Sequence, residues 1–251
     1  MGDIADRLTH YKIKCSQNLN RVRLSHILAL KAVQDEQILS EGKYQDLVRA
    51  SFANTEQDNK NLARMRTVLH NQHLLSLKIN FELFLNRLLS TIWAFHFTEL
   101  APTISGEVSL SEIGATVVEA GESPADLREF IIEKVVGNQG LEHFEKVLKR
   151  ATQIRLRDVL YAKDFHYWPQ IYTAFQARHL VEHRDGKVDG RFREAVAEVW
   201  FNSSWGSRLS LERLEKVVVE EEDVITTHDA MLNAAELLTN KVLRWSSQTS
   251  K

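Results

Sequence analysis

The stretch Leu74–Phe97, which reads LLSLKINFELFLNRLLSTIWAFHF, decides the class of the fold. Its leucine, isoleucine and aromatic residues fall on nearly every side of a helix, and such a helix is either central in a fold or lies in a subunit interface. Three polar residues, Lys78, Glu82 and Asn86, recur at every fourth position and form a single stripe. The stripe is either a solvated face or a polar wall that faces a buried site.

The rest of the chain also favours long helices. It has 251 residues with only 10 glycines and 3 prolines, which are few turn formers for an all-β fold. Apolar periodicity and helix-capping signals predict an all-α fold, a helical bundle. The helical segments are expected at about residues 3–40, 44–52, 62–100, 123–137, 141–157, 169–186, 192–201 and 224–245, with an irregular segment at 102–121.

A polar stretch, Asn54–Asn59, separates the first helical segments from the long apolar helix. Polar clusters of this kind mark loops between elements. The sequence therefore predicts an N-terminal helical extension at residues 1–58 and a helical domain at residues 59–251.

Composition narrows the classes of function. The net charge is -2, from 32 basic and 34 acidic residues, whereas a protein that coats nucleic acid non-specifically is strongly basic, so any contact with nucleic acid is expected to be local. The single cysteine, Cys15, excludes an intrachain disulfide framework and fits a reducing compartment. Residues 1–7 lack an apolar leader, and no uncharged apolar stretch is long enough to span a bilayer. We therefore expect a cytoplasmic protein without membrane contact.

The most informative motif is ARHLVEHRDG at Ala177–Gly186. Arg178 keeps its proton in any protein environment, so it holds or stabilises an anion. A histidine side chain, here that of His183, is able to take up and release a proton near neutral pH in general, which suits it to move protons. A fixed cation beside a proton carrier is what the cleavage of an RNA phosphodiester requires.

Local signals place the motif at the end of a helix. Pro169 suits the first turn of that helix, and Gly186 ends it. The five residues from Arg178 to His183 correspond to a rotation of about 140° around an ideal helix. One chain is therefore expected to present the two side chains on different sides, and two chains around a two-fold axis would bring two pairs into one cleft.

The motif resembles the signature of the HEPN superfamily of small α-helical domains. That signature is an arginine, a polar residue, about three further residues and a histidine, often followed by a glycine in a turn. The resemblance covers about residues 62–242. The matching positions are Arg178, His179, His183 and Gly186 in the motif, Lys187–Asp189 and Phe192 after it, and Phe81–Leu85 in the early apolar helix.

The resemblance implies metal-independent cleavage of RNA by a homodimer, often in toxin, abortive-infection or antiphage roles. The ribose 2′-OH would attack the adjacent phosphorus, with His183 as general base or acid and Arg178 stabilising the phosphorane oxygens. His179 and Glu182 would orient or tune these two groups, and Glu82 would hold Arg178 across the bundle. RNA and a second copy are the implied partners, with an antitoxin or sensor as a further one, and no metal or cofactor is expected.

Three other interpretations of the motif remain open. The first is an ion-paired helix end, in which Arg178 pairs with Glu182 and His183 is solvated. The second is a HEPN module that binds RNA or a protein without catalysis. The third is a zinc peptidase, because His179–His183 reads H-x-x-E-H and places two histidines on one face. Against the zinc site, Gly186 ends the helix almost at once, and no third ligand is compelling.

Two charged runs lie elsewhere. Lys146, Lys149, Arg150 and Arg157 are expected on one face of the helix that begins near residue 141, either as a solvated basic face or as a stripe that tracks RNA phosphates. The acidic run Glu220–Asp223 is expected to decorate the start of the last helix, where negative charge is favourable. The remaining histidines are expected to be scattered surface or core residues: His10, His26, His70, His73, His96, His143, His166 and His228.

Overall fold

Long helices make up most of the structure, as the low glycine and proline content predicts. The computed structural model describes residues 3–34, 58–100, 131–132, 134, 136, 140–162 and 165–249. The helices with defined bounds are α1 (Ile4–Gln34), α2 (Asp58–Phe95), α3 (Phe97–Leu100), α4 (Gly140–Thr152), α5 (Leu156–Leu160), α6 (Tyr167–Arg184), α7 (Gly190–Val196), α8 (Ser204–Arg208) and α9 (Glu221–Thr249). Short 3-10 turns lie at Trp200–Asn202 and Leu211–Arg213.

The all-α class that the sequence predicts is confirmed. Within the described ranges, the strands are limited to two residues each, β1 (Tyr161–Ala162) and β2 (Phe165–His166), which pair antiparallel. The segments expected at residues 44–52 and 102–121, and the helix start expected at residue 123, lie outside the described residues.

The chain divides into two compact units. The first unit comprises Met1–Ser16, Phe81–His166 and Asn233–Lys251, and the second comprises Gln17–Asn80 and Tyr167–Leu232. The boundary expected near residue 58 follows residues 35–57, which the structure does not describe, so the division into an extension and a domain stays a prediction.

The core of the first unit is built around the apolar half of α2. Trp93 and Ile92 are completely buried, and so are Leu88 and Leu89 one turn earlier. One chain therefore covers most of the stretch that was expected either to be central or to lie in an interface, and the central position is the one observed. The other fully buried apolar side chains of this unit are Leu8, Phe81, Val147, Leu148, Leu156, Leu160, Ala234, Ala235, Leu238 and Val242.

The second unit contains two fully buried tryptophans, Trp200 and Trp205. Each indole N–H donates to a backbone carbonyl: Trp200 to Leu209 at 2.8 Å and Trp205 to Val218 at 3.2 Å. A glycine is required at position 206, directly after Trp205, because a Cβ there would lie 1.9 Å from the Trp200 carbonyl oxygen. These contacts fix the short helix α8 and the turns around it.

Candidate functional site

The helix that carries the motif, α6, ends in the way that Gly186 predicts. Asp185 and Gly186 both have left-handed backbone conformations, with φ angles of 52° and 77°. The Gly186 N–H donates to the Leu180 carbonyl at 3.0 Å, so the chain folds back onto the last turn of α6 and satisfies one of its free carbonyls. A side chain at Gly186 would also collide with Val217, whose carbonyl oxygen would lie 2.6 Å from the added Cβ.

The segment after the motif is held against residues 215–217. The Val217 N–H donates to the Gly186 carbonyl at 2.8 Å, and Lys187 and Lys216 form an isolated antiparallel bridge. Asp189 caps α7 by accepting a hydrogen bond from the Phe192 N–H at 2.8 Å, and this bond lowers the pKa of the Asp189 carboxyl. The end of α6 is therefore fixed by backbone contacts on its C-terminal side.

Glu182 joins the two candidate catalytic residues. Its Oε2 forms an ion pair with Nη2 of Arg178, one helical turn earlier, and lies 3.3 Å from Nε2 of His183. The side chains become more exposed towards the helix end, from 22% for Arg178 through 35% for Glu182 to 56% for His183. The expectation that one chain holds Arg178 and His183 on separate sides is wrong at the level of side chains, because the long arginine reaches the same carboxylate oxygen as the imidazole.

Arg178 has one donor without an acceptor. Its Nε is buried and has no hydrogen-bond partner, although Nη2 is paired with Glu182. A buried donor left without an acceptor costs about 1–3 kcal/mol, so such groups in folded proteins call for an explanation. An incoming anion that draws the guanidinium away from Glu182 is one way in which this donor could gain an acceptor.

The polar stripe on α2 is half-buried rather than fully solvated. Lys78, Glu82 and Asn86 all have intermediate exposure. Nζ of Lys78 lies 5.4 Å from the centroid of the Phe175 ring, and Phe175 stands three residues before Arg178 on α6. The stripe thus touches the motif helix at Lys78, and the role of Glu82 as a holder of Arg178 stays a prediction.

His179 and His183 lie close together, as residues four apart on a helix do. Their ring centroids are 4.9 Å apart, at an interplanar angle of 58°. In the part of the chain that the structure describes, no group of three or more histidine, cysteine, aspartate or glutamate side chains is placed to hold a metal ion. The third ligand of the H-x-x-E-H interpretation is therefore not found among those residues.

The basic residues expected on one helical face lie on two helices. Lys146, Lys149 and Arg150 belong to α4, which ends at Thr152, whereas Arg157 belongs to α5. The stop is made by Gln153, with a φ angle of 61°. The Thr152 hydroxyl accepts a hydrogen bond from the backbone N–H two residues later, at 3.1 Å. No glycine or proline marks this stop, so the sequence pattern predicted one continuous helix.

A buried carboxylate near the start of α9 was not predicted. Asp223 is completely buried, whereas the acidic run was expected to decorate the surface. Its oxygens accept hydrogen bonds from Arg208 at 2.5 Å, from the Ser204 hydroxyl at 2.5 Å and from the Glu220 N–H at 2.9 Å. Burial raises the pKa of Asp223, while the Ser204, Glu220 and Arg208 contacts oppose that rise. This network ties α8 to α9 within the second unit, and its partners are too far apart in sequence for a local pattern to show.

Three of the histidines expected to be scattered gather in the second unit. Nε2 of His26 lies 2.8 Å from Nδ1 of His70, and the rings of His26 and His73 are 4.5 Å apart. All three are buried. Burial, with the two neighbouring imidazoles, lowers the pKa of His26 to about 4, and burial lowers the pKa of His70. His70 and His73 stand three apart on α2, but the approach of α1 is a tertiary contact that the sequence did not indicate.

Comparison with protein-family models, with curated proteins and with solved structures gives no match for this chain. Among the described helices, none is both long and apolar enough to cross a membrane. The arrangement of side chains at the end of α6 is therefore the ground on which a function is proposed.

Proposed function

We propose that the protein is a metal-independent endoribonuclease of the HEPN type, in which Arg178 and His183 act on one RNA phosphodiester. The observation that supports this most is the shared contact with Glu182, since a fixed cation and a proton carrier meet at one carboxylate oxygen. The exposed imidazole and the unsatisfied Arg178 Nε fit a site that an anionic substrate completes.

The reaction follows from the two side chains. Neutral His183 removes the proton of the ribose 2′-OH, whose oxygen attacks the adjacent phosphorus as the bond to the 5′ oxygen breaks. Arg178 leaves Glu182 for the phosphorane oxygens, where negative charge develops. The protonated His183 then gives this proton to the departing 5′ oxygen, and His179, whose ring lies beside that of His183, orients the imidazole. The products are a 2′,3′-cyclic phosphate and a 5′-OH.

A homodimer is part of this proposal. A two-fold axis beside the end of α6 would bring two Arg178–His183 pairs into one cleft, as the resemblance implies. Lys146, Lys149, Arg150 and Arg157 are proposed to contact RNA phosphates outside that cleft. A role as a toxin or antiphage effector, restrained by an antitoxin or a sensor, accords with such an activity.

The second candidate is a HEPN module that binds RNA or a protein without cleaving it. The ion pair between Arg178 and Glu182 favours this alternative, because it occupies the guanidinium that catalysis needs. The same ion pair would also be found if the motif were only an ion-paired helix end.

The experiment compares an RNA oligonucleotide with the DNA of the same sequence, each incubated with the protein in EDTA. We expect cleavage of RNA in EDTA and no cleavage of DNA, which lacks the nucleophilic hydroxyl. Activity that EDTA removes and zinc restores would favour the H-x-x-E-H interpretation. Tight binding of RNA without cleavage would favour the non-catalytic module.

A further inference from the structure

The first unit has an open cleft of about 790 Å³ between the connection from α4 to α5 and the last turns of α9. Ligand pockets of drug-sized molecules have volumes of about 300–1,000 Å³. Arg155 and Asp158 line one wall, and Asn240, Lys241, Arg244 and Trp245 line the other. None of these residues belongs to the motif at the end of α6.

The charges of the described residues that line the cleft do not balance one another. Arg155, Lys241 and Arg244 form no ion pair with any described residue, and the one carboxylate among the described lining residues is that of Asp158. Among these residues, three cations and one anion leave a net charge of +2. A phosphate monoester carries a charge of about -1.5 to -2 at neutral pH, so it matches this excess.

The cleft also offers an aromatic surface. Trp245 is half-buried, and its ring meets His96 at a centroid distance of 4.7 Å in an edge-on arrangement. The His96 ring is fixed in turn, since Nε2 lies 3.2 Å from the Ser246 hydroxyl. An indole held in this way is a surface on which a nucleobase can stack, and Asn240, which lines the same wall, carries an amide that can both donate and accept hydrogen bonds.

The wall that carries Arg155 has a defined conformation. Gln153 adopts a left-handed conformation that is uncommon for a residue other than glycine. The Thr152 hydroxyl donates to the Leu148 carbonyl at 2.8 Å and accepts from the Ile154 N–H at 3.1 Å. This capped stop turns the chain so that Arg155 faces α9 across the cleft.

We propose that this cleft binds a nucleoside phosphate. The phosphate would lie among Arg155, Lys241 and Arg244, the base would stack on Trp245, and Asp158 would accept hydrogen bonds from the ribose hydroxyls. The cleft is a bounded pocket with a small charge excess, which favours a mononucleotide over a strand of RNA. The site is separate from the proposed catalytic pair and does not depend on RNA cleavage.

The test is calorimetric titration of the full chain with AMP, adenosine, inorganic phosphate and a short RNA oligonucleotide at physiological ionic strength. We expect AMP to bind and adenosine to fail. The Lys241→Ala/Arg244→Ala variant should weaken AMP binding by about tenfold or more, because two charged hydrogen-bond donors are lost. The Trp245→Leu variant should weaken AMP binding and leave phosphate binding unchanged.

Two controls and one further variant of the cleft keep the result specific. The Lys146→Ala/Lys149→Ala variant removes two exposed cations of α4 that do not line the cleft, and it should bind AMP like the wild type. The Arg178→Ala/His183→Ala variant should also bind AMP normally. If Trp245→Leu unfolds, Arg155→Ala tests the same site, because Arg155 is exposed.

Four outcomes would overturn the proposal. AMP would fail to bind at millimolar concentration, or phosphate would bind as tightly as AMP. Alternatively, only the RNA oligonucleotide would bind, or AMP affinity would fall equally in the Lys146→Ala/Lys149→Ala variant.

Discussion

Glu182 controls how the two candidate catalytic residues are held, because one of its oxygens contacts both of them. In the absence of RNA it neutralises Arg178 and keeps the guanidinium close to His183. In the proposed mechanism the guanidinium exchanges one anion for another when the substrate phosphate enters, so little charge has to be desolvated again. We therefore assign Glu182 a positioning role rather than a catalytic one.

Arg178→Ala and His183→Ala should each reduce RNA cleavage by at least about a hundredfold, since each removes a group that acts in the transition state. Glu182→Ala should reduce it less, because Glu182 only positions its neighbours. Initial rates on a fluorescent RNA oligonucleotide measure the effect, and chemical denaturation should show a loss of less than about 1 kcal/mol, as expected for a partly exposed ion pair.

The control for these variants is Arg184→Ala. Arg184 lies in the last turn of the same helix but pairs with Asp189, so its loss should leave cleavage close to the wild-type rate. Full activity in both Arg178→Ala and His183→Ala would assign the activity to other residues, and equal loss in Arg184→Ala would indicate a general effect on the helix end.

His26 should make the protein less stable in acid. Its pKa is about 4 in the folded chain against an ordinary value of 6.5, so the unfolded chain binds more protons between these values. The contribution is fully present above pH 6.5 and is lost as the pH falls towards 4, with an upper limit of about 3 kcal/mol. The pKa of His70, in the same cluster, is also affected by the charges of four neighbours: His73, Arg66, Glu220 and Glu221.

Urea denaturation at neutral and at acidic pH, for wild type and His26→Gln, measures this contribution. The fall in the free energy of unfolding on acidification should be smaller in His26→Gln than in the wild type. His10→Gln serves as the control, because His10 is exposed and should leave the pH dependence unchanged. An identical pH dependence in wild type and His26→Gln would show that the histidine cluster does not titrate as its burial indicates.

At the level of elements, the end of α6 sets the position of the motif. Gly186→Ala should destabilise the protein by about 1–3 kcal/mol, because it forces a left-handed conformation and a collision with the Val217 carbonyl. Gly190→Ala is the matched control, since a Cβ there meets nothing within 4 Å. Thermal unfolding of the two variants measures the difference, and equal midpoints would contradict this account of the helix end.

Elements with a local signal could be predicted from the sequence. Pro169 and Gly186 bracket α6 as expected, whereas the break after Phe95 falls inside the helical run that was expected to continue to residue 100. The stop at Thr152 could not be predicted, because it depends on a hydroxyl cap and on a strained glutamine rather than on a glycine. The start of α9 was predicted near Val224 and lies at Glu221, three residues earlier. The burial of Asp223 near that start could not be predicted, because it depends on hydrogen-bond partners in α8.

At the level of the whole molecule, tertiary contacts account for what the sequence did not indicate. His26 and His70 are 44 residues apart, and no spacing rule joins them. The contact of Glu182 with both Arg178 and His183 depends on the reach of the side chains, whereas residue spacing predicts only the angles between backbone positions. The pairing of Arg178 with Glu182 was expected from their spacing and is observed, whereas the contact of Glu182 with His183 was not predicted.

A homodimer remains a prediction about the whole molecule, and its support has changed. Because α2 buries most of its apolar residues within one chain, the argument that this surface needs a partner no longer applies. The prediction now depends on the resemblance to HEPN domains alone, because Arg178 and His183 meet at Glu182 within one chain. Light scattering at micromolar concentration should give twice the chain mass of 28.9 kDa, and the mass of one chain would contradict the composite site.

Analysis of the product ends tests the central claim most directly. An RNA oligonucleotide with one radiolabelled end is incubated with wild type, Arg178→Ala or His183→Ala in EDTA, and the fragments are treated with phosphatase and polynucleotide kinase. The account predicts a 2′,3′-cyclic phosphate on one fragment and a 5′-OH on the other, from the wild type alone. Fragments with a 3′-OH and a 5′-phosphate, or the same cyclic ends from both variants, would contradict it.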